Sequence, residues 1–443
     1  MNVAPHPAIP FPVRPPEPLT ILTGFKRLAP PSREAPGWPL LIAEPLQIDN
    51  YQTEVKARVD SDKKISLGKY NEIFEAYVRP NLRYDETYTW DANINGIIVR
   101  YVGNSLHQYQ FWVGNWWPAP NNHSTLAQAF IYSVVGVPDH KPFAYYCPDN
   151  NTSIFVNTEY YGQCKSWALG MAAAALERHY NTHSIHGACA DVDGKGVVMI
   201  APTGTGKTTQ VNRLFLHPNG RVLGDDWVYI RHPPRRAPDE HPNLVVTQPE
   251  RMLYVRTENE EAEPWLRPLF DRCMVENAVQ EYADCENDEC KAKIAKGERK
   301  CVFDEGRPVC YWSFGNSRAL LPREWMKGPN KVSDSSPLKL LVLLRRNNES
   351  PAEQWLSPDE AITILKEGKT LIRPGAGPKE KWGTYGYEPW YNPYLLVRDD
   401  ARQERFFREE MRVAKCVIYN TGAPGESIQR THERILKAVA ECD

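Results

Sequence analysis

The residues best suited to chemistry stand close together in Ala201-Pro-Thr203-Gly204-Thr205-Gly206-Lys207-Thr208-Thr209. Glycines at 204 and 206 let backbone N–H groups turn toward one point, and a helix starting after them would aim its positive end at the same point. Anions with several oxygens, phosphates above all, fit such a cradle. The order matches the Walker A pattern, with Ala201 where the first glycine usually stands. Thr203 to Thr209 then form the nucleotide-binding set: Lys207 for the outer phosphates and the Thr208 hydroxyl for magnesium, which takes few protein ligands and keeps most of its water.

A second group follows at Val222 to Asp226, which reads apolar, apolar, Gly, Asp, Asp. Two carboxylates at the end of a strand repel when both are ionised, so they suit a cation or a shared proton. Asp226 is the expected metal ligand, and Asp225 the expected base or second metal contact, with the two roles exchangeable. Four of the ten cysteines crowd into one segment as Cys285, Cys290, Cys301 and Cys310. Without paired CxxC knuckles, unliganded structural thiols rank ahead of a tetrahedral zinc site, and zinc ahead of disulfides.

Strand, loop and helix must position the phosphate cradle, and the flanking sequence supplies them. Gly196 to Ala201 is an apolar run suited to a buried strand, and residues from Thr208 onward are helix-compatible. Further strands are expected at Arg221 to Gly224, Trp227 to Arg231, Leu338 to Arg345 and Ala414 to Tyr419. Helices are expected at Ser166 to Tyr180 and at Ser357 to Glu367, the latter starting on Ser357 or Pro358. Upstream, Gly96 to Val102 and Gln108 to Val113 alternate like half-buried strands. The expected organisation is a proline-rich arm at 1–45, a mainly β region at 46–154 and a mixed α/β nucleotide domain at 155–443.

Composition narrows the partners. Lys and Arg number 53 against 55 Asp and Glu, a formal charge of −2, so no overall basic field argues for nucleic acid. No apolar run is long enough for a membrane span, and Met1 to Pro18 has no signal-peptide core, so a cytoplasmic protein is expected. Oligomeric state is left open by these features.

The spacing of several motifs resembles the phosphoenolpyruvate carboxykinase superfamily, which includes the HPr kinases. Ser184-Ile-His186-Gly-Ala-Cys-Ala-Asp-Val-Asp-Gly, then the phosphate loop, then Gly224-Asp225-Asp226 follow the order of both families. Tyr160-Tyr-Gly162-Gln-Cys-Lys165, the segment Glu250 to Thr257 with Tyr254 and Arg256, Glu276-Asn277, Asn316-Ser317-Arg318 and Asn420-Thr421-Gly422 resemble carboxykinase motifs in particular. The likeness covers roughly residues 155–440 and implies a carboxykinase-like nucleotide domain carrying the four-cysteine segment, at about 280–312, as an insertion. It implies that His186 lies near the transferred phosphoryl group, that Arg256, Arg318 and Lys165 serve phosphate or substrate charge, and that Thr431 contacts the adenosine. Two departures fall on substrate chemistry. Ser166 stands where the carboxykinases have a second lysine, and Arg256 replaces a lysine, keeping charge without being able to release a proton. No counterpart of the oxaloacetate-gripping segment is found upstream.

The expected activity is therefore transfer of the γ-phosphoryl group of ATP, with magnesium or manganese, to a hydroxyl of a small metabolite or a protein serine. A divergent carboxykinase acting on oxaloacetate is the alternative, and an ATP-binding regulatory module without turnover is the second alternative.

Overall fold

The computed structural model describes residues 25–27, 43–45 and 64–442, apart from 84–85, 121–125, 203, 235–242, 262, 313–315, 348 and 373–378. Most of the expected arm at 1–45 lies outside the described residues; within it, strands Phe25–Arg27 and Ala43–Pro45 pair antiparallel. The protein is mixed α/β. It divides into two compact units, residues 1–171 with 251–325 and residues 172–250 with 326–443.

The first unit is built on a six-stranded sheet in the order Trp117–Pro118, Tyr88–Ile94, Ile97–Gly103, Ala129–Val134, Thr152–Val156, Phe143–Cys147. Its central hairpin turns on Asn95 and Gly96, with φ of 52° and 94°, the left-handed pair that a two-residue turn between twisted strands requires. The expected strand at 96–102 is observed as Ile97–Gly103. The expected strand at Gln108 to Val113 is instead part of a helix, Leu106–Asn115. Ser105 caps it by accepting from the Gln108 amide at 3.2 Å, and burial reaches almost all round, so polar residues in it do not mark a solvent face. Gln108 shows why alternation misled: its amide is buried, donating to the Thr158 carbonyl and accepting from the Ser133 hydroxyl. A second sheet joins Met252–Arg256, Arg318–Pro322 and Met274–Glu276, all antiparallel.

The second unit is organised by strand Thr182–Val192, buried along its whole length. Its first part pairs with Trp227–Arg231 and its second part with Lys195–Ile200 and Gly220–Gly224, all antiparallel. Lys195–Ile200 then runs parallel to Ser335–Arg345, which runs parallel to Lys415–Asn420. Apolar residues from these strands, among them Ile185, Val198, Leu341 and Ile418, pack with Leu365 and Phe407 from helices Pro358–Glu367 and Asp400–Glu410. Helix Pro358–Glu367 starts as expected: Ser357 accepts from the Glu360 amide while the Glu360 carboxylate accepts from the Ser357 amide, a full capping box. No described helix is long and apolar enough to cross a membrane.

A buried polar network holds Asp400–Glu410 to the base of Thr182–Val192. The Glu177 carboxylate accepts from Nε2 of Gln403, which turns the amide oxygen toward Nε2 of His183 at 2.9 Å. The other ring nitrogen of His183 lies 2.7 Å from Glu410, so both nitrogens donate and the ring is an imidazolium facing a carboxylate. Burial acts to lower the His183 pKa, but Glu410 outweighs it and the net shift is upward; Glu410 is correspondingly held below its ordinary value against the same burial. His183 therefore contributes stability below pH 6.5 that is lost as pH rises through its elevated pKa, and Glu410 contributes stability above pH 4.5 that is lost as pH falls through its depressed pKa. Thermal unfolding followed by circular dichroism should give midpoints that are highest between these limits and fall on both sides. His183→Ala, which strips Glu410 of its closest cation, should lower stability by about 3 kcal/mol or more and flatten the alkaline fall; an unchanged alkaline limb would contradict the assignment.

Candidate active site

The glycine-rich segment follows strand Lys195–Ile200 directly and leads into helix Lys207–Leu216. Gly204 and Gly206 have φ of 79° and 100°, a region that side-chain-bearing residues seldom adopt. Gly206 is the N-cap, its carbonyl accepting from the Gln210 amide at 3.0 Å, and no acidic residue occupies the first turn. The first amides of the helix, Lys207 to Thr209 among them, have no intrahelical carbonyl to reach and face the loop with the positive end of the helix dipole. Thr205 steadies the loop, its hydroxyl donating to the Pro202 carbonyl at 2.7 Å. Its own carbonyl accepts from the Thr421 hydroxyl at 3.2 Å, a residue quoted for its motif but not assigned to the site. Thr203 lies outside the described residues.

His186, Lys207 and Asp226 meet beside this loop. Nδ1 of His186 lies 2.9 Å from the Tyr391 carbonyl, which can only accept, so that nitrogen carries the proton. Nε2 then offers its lone pair, 3.5 Å from Nζ of Lys207 and 3.5 Å from Oδ1 of Asp226. Lys207 is also 4.0 Å from Asp226, so its ammonium bridges a lone pair and a carboxylate. Burial first, and the Lys207 charge second, push the His186 pKa below its ordinary 6.5, while Asp226 acts in the opposite sense. The imidazole is thus neutral at neutral pH, in the tautomer that can take a proton or bind a cation through Nε2.

Backbone proximity explains how the strands bring these groups together. A Cβ on Gly187 would lie 2.7 Å from the Met199 carbonyl oxygen, so only glycine permits the strand carrying His186 to approach the strand that feeds the loop. The Gly187 amide donates to the Asp226 carbonyl at 3.0 Å, fixing the turn that presents the carboxylate. Asp225 is buried and Asp226 is part-exposed. Tyr394 stands edge-on to the His186 ring at 5.0 Å and, with Trp227, walls one side of it. Thr431 is buried on helix Ile428–Ala440, its hydroxyl 3.2 Å from Glu426; the start of the same helix meets the loop helix where Gln210 donates to the Ile428 carbonyl.

Arg256, Arg318 and Lys165 belong to the first unit. Arg256 and Glu276 are both directly opposite Arg318 in the three-stranded sheet, so all three side chains share one face. Arg318 is buried, and burial followed by the Arg318 charge lowers the pKa of Arg256. Lys165 is buried with its ammonium 5.1 Å above the Tyr254 ring. Glu276 organises the group. Its carboxylate is fully buried and meets Nε2 of His107 at 3.0 Å, the Tyr161 and Gly162 amides at 3.0 and 3.3 Å and the Tyr254 hydroxyl. A Cβ on Gly162 would collide with the phenol end of Tyr160 and with the Tyr254 hydroxyl, which accounts for the glycine in that motif. Ser166, where the carboxykinases carry their second lysine, turns its hydroxyl back to the Gly162 carbonyl at 2.7 Å. His107 carried no sequence signal; Glu276 was signalled only by the Glu-Asn dipeptide.

Among the described residues, no three or more His, Cys, Asp or Glu side chains form a ready-made metal cage. Thr208 on the first helical turn and the part-exposed Asp226 fit a magnesium ion whose remaining ligands are phosphate oxygens and water. No family model matches the chain, and no curated protein matches it.

The electrostatics of the triad can be read directly. Lys207→Met removes a cation that disfavours the protonated ring, so the His186 titration midpoint, followed by NMR of the imidazole carbons, should move up; Asp226→Asn should move it down. Equal midpoints in all three proteins would mean that the three groups do not meet in solution.

Proposed function

We propose that the chain is an ATP-dependent phosphotransferase of the phosphoenolpyruvate carboxykinase and HPr kinase type, passing the γ-phosphoryl group to a hydroxyl acceptor. The observation that carries this reading is the neutral Nε2 of His186 held 3.5 Å from both Lys207 and Asp226, beside a glycine-rich strand-to-helix loop. ATP would lie along residues Thr203 to Thr209, with Lys207 on the outer phosphates and Thr431 toward the adenosine. Magnesium, held by Thr208 and Asp226, would screen phosphate charge and keep the terminal phosphoryl group in line. The acceptor hydroxyl attacks the γ-phosphorus and the bond to the β-phosphate oxygen breaks, its electron pair leaving with ADP. The hydroxyl proton passes to Nε2 of His186, or to Asp225 if that residue acts as base. Arg256, Arg318 and Lys165 supply positive charge for an anionic ligand, as the family resemblance implies.

Phosphorus NMR of the protein with Mg-ATP and a little manganese tests this reading. A new phosphoester should appear with a protein-free metabolite extract or a serine-containing protein substrate and vanish with Lys207→Ala. Phosphoenolpyruvate from added oxaloacetate would instead establish the carboxykinase reaction, and ATP binding with no phosphorylated product would establish a regulatory module. His186→Gln should lower kcat by about 10²-fold or more, the usual scale of a lost general base. Because only the neutral ring serves, kcat/KM should hold steady through pH 6.5 and fall below it, at a midpoint under the ordinary histidine value.

A further inference from the structure

The segment containing Cys285, Cys290, Cys301 and Cys310 plays no part in the proposed phosphotransfer, yet its construction is unusual for a folded piece of chain. Close to half of residues 281–310 are charged, and the helix it contains, Asp288–Ala295, buries a single residue, Cys290. Its apolar core amounts to Val279, Val302 and Cys310, with Phe303 and Trp312 against them. The two ends are tied where Val279 and Cys310 exchange backbone hydrogen bonds at 3.3 and 2.8 Å. A loop of this length with so small a core does not offset its conformational entropy by burial, and small units of this kind generally carry a metal or disulfides.

All four cysteines are turned inward, 7–9% exposed, although they come from four different stretches of the segment. They gather: Cys285, Cys290 and Cys301 all act electrostatically on Cys310, and Cys285 and Cys301 both act on Cys290. Burial pushes the Cys290 and Cys310 thiols up, and nearby donors and cations act against it. Cys290 sits in the first turn of its helix, where the dipole favours negative charge, with Arg299 and Lys293 near enough to stabilise it. The Trp312 amide points at the Cys310 sulfur at 3.4 Å. Arg299 is itself held over the Trp312 ring at 4.2 Å.

We propose that Cys285, Cys290, Cys301 and Cys310 bind one zinc ion as a closed tetrahedral structural site that folds this segment. Among the described residues the four sulfurs do not already form a cage; a divalent ion would draw them in, each ligand entering by losing its proton. Zinc takes four thiolates at about 2.3 Å, so the segment must close around the ion for all four sulfurs to reach it. The residual negative charge of the site falls beside Arg299 and Lys293.

The test uses the full chain purified without chelators. Elemental analysis should find about one zinc per chain, released when an organomercurial blocks the thiols and reported by a chromogenic chelator. Cys290→Ser and Cys301→Ser should each reduce the zinc content several-fold, whereas Cys416→Ser, from the core of the second unit, should leave it unchanged. Because a ligand variant could simply unfold, the wild-type protein carries a second readout: removing zinc with a strong chelator should open the bonds after Lys291, Lys293, Lys296, Arg299 and Lys300 to trypsin, and adding zinc back should close them. Wild-type protein without zinc before or after zinc addition would overturn the proposal. So would peptide mapping under non-reducing conditions that finds these four cysteines as two disulfides.

Discussion

The antiparallel pairing of strand Thr182–Val192 with its three neighbours is the constraint on which the second unit depends. One strand brings together the pieces of the candidate site: His183 anchors it to helix Asp400–Glu410, His186 faces the loop, and Gly187 allows the next strand to close in. Every one of its side chains is buried, so a register shift of one residue would carry His186 to the opposite face and leave charged groups inside without partners. The hairpin to Lys195–Ile200 turns on Asp193 and Gly194, both at positive φ, which helps to hold that register.

Both units bury charge against hydrogen-bond donors, although Oε2 of Glu410 is buried without a partner among the described residues. In the first, Glu276 is surrounded by an imidazole, two helix-start amides and a phenol. In the second, Glu177 orients Gln403, Gln403 orients His183, and His183 faces Glu410, which also meets His232 at 3.1 Å. Such networks add less net stability than an apolar core of equal volume, but they lose several kcal/mol, on the order of 3–5, when one member is removed. They specify one arrangement of strands and helices, and both lie within a few residues of the proposed catalytic groups.

The chemistry proposed for His186 rests on tautomer control. A carbonyl at Nδ1 leaves Nε2 without a proton, and the neighbouring ammonium disfavours protonation there. A carboxylate at Nδ1 would have raised the basicity of the ring instead; Asp226 approaches from the Nε2 side, where a metal ion would engage it. The same residue types in another order would have produced a cation unable to accept a proton.

Much of this was legible from local pattern. The phosphate-loop motif, its preceding strand, the Asp225-Asp226 pair, the strands at 227–231 and 338–345 and the Ser357 helix start all depend on neighbours within a few residues, where backbone sterics and capping act. Helix Leu106–Asn115 escaped because a helix buried all round loses the polar face that periodicity reports. The interleaving of the chain between two units, the joining of His107 to Glu276 across 169 residues and of His183 to Glu410 across 227, and the gathering of four cysteines carry no local signature. The sequence by itself determined the glycine-rich loop and which strand and helix flank it. Only the tertiary structure decided which nitrogen of His186 is protonated and which buried charges meet, because those depend on long-range strand pairing and on the electric field of groups remote in the chain.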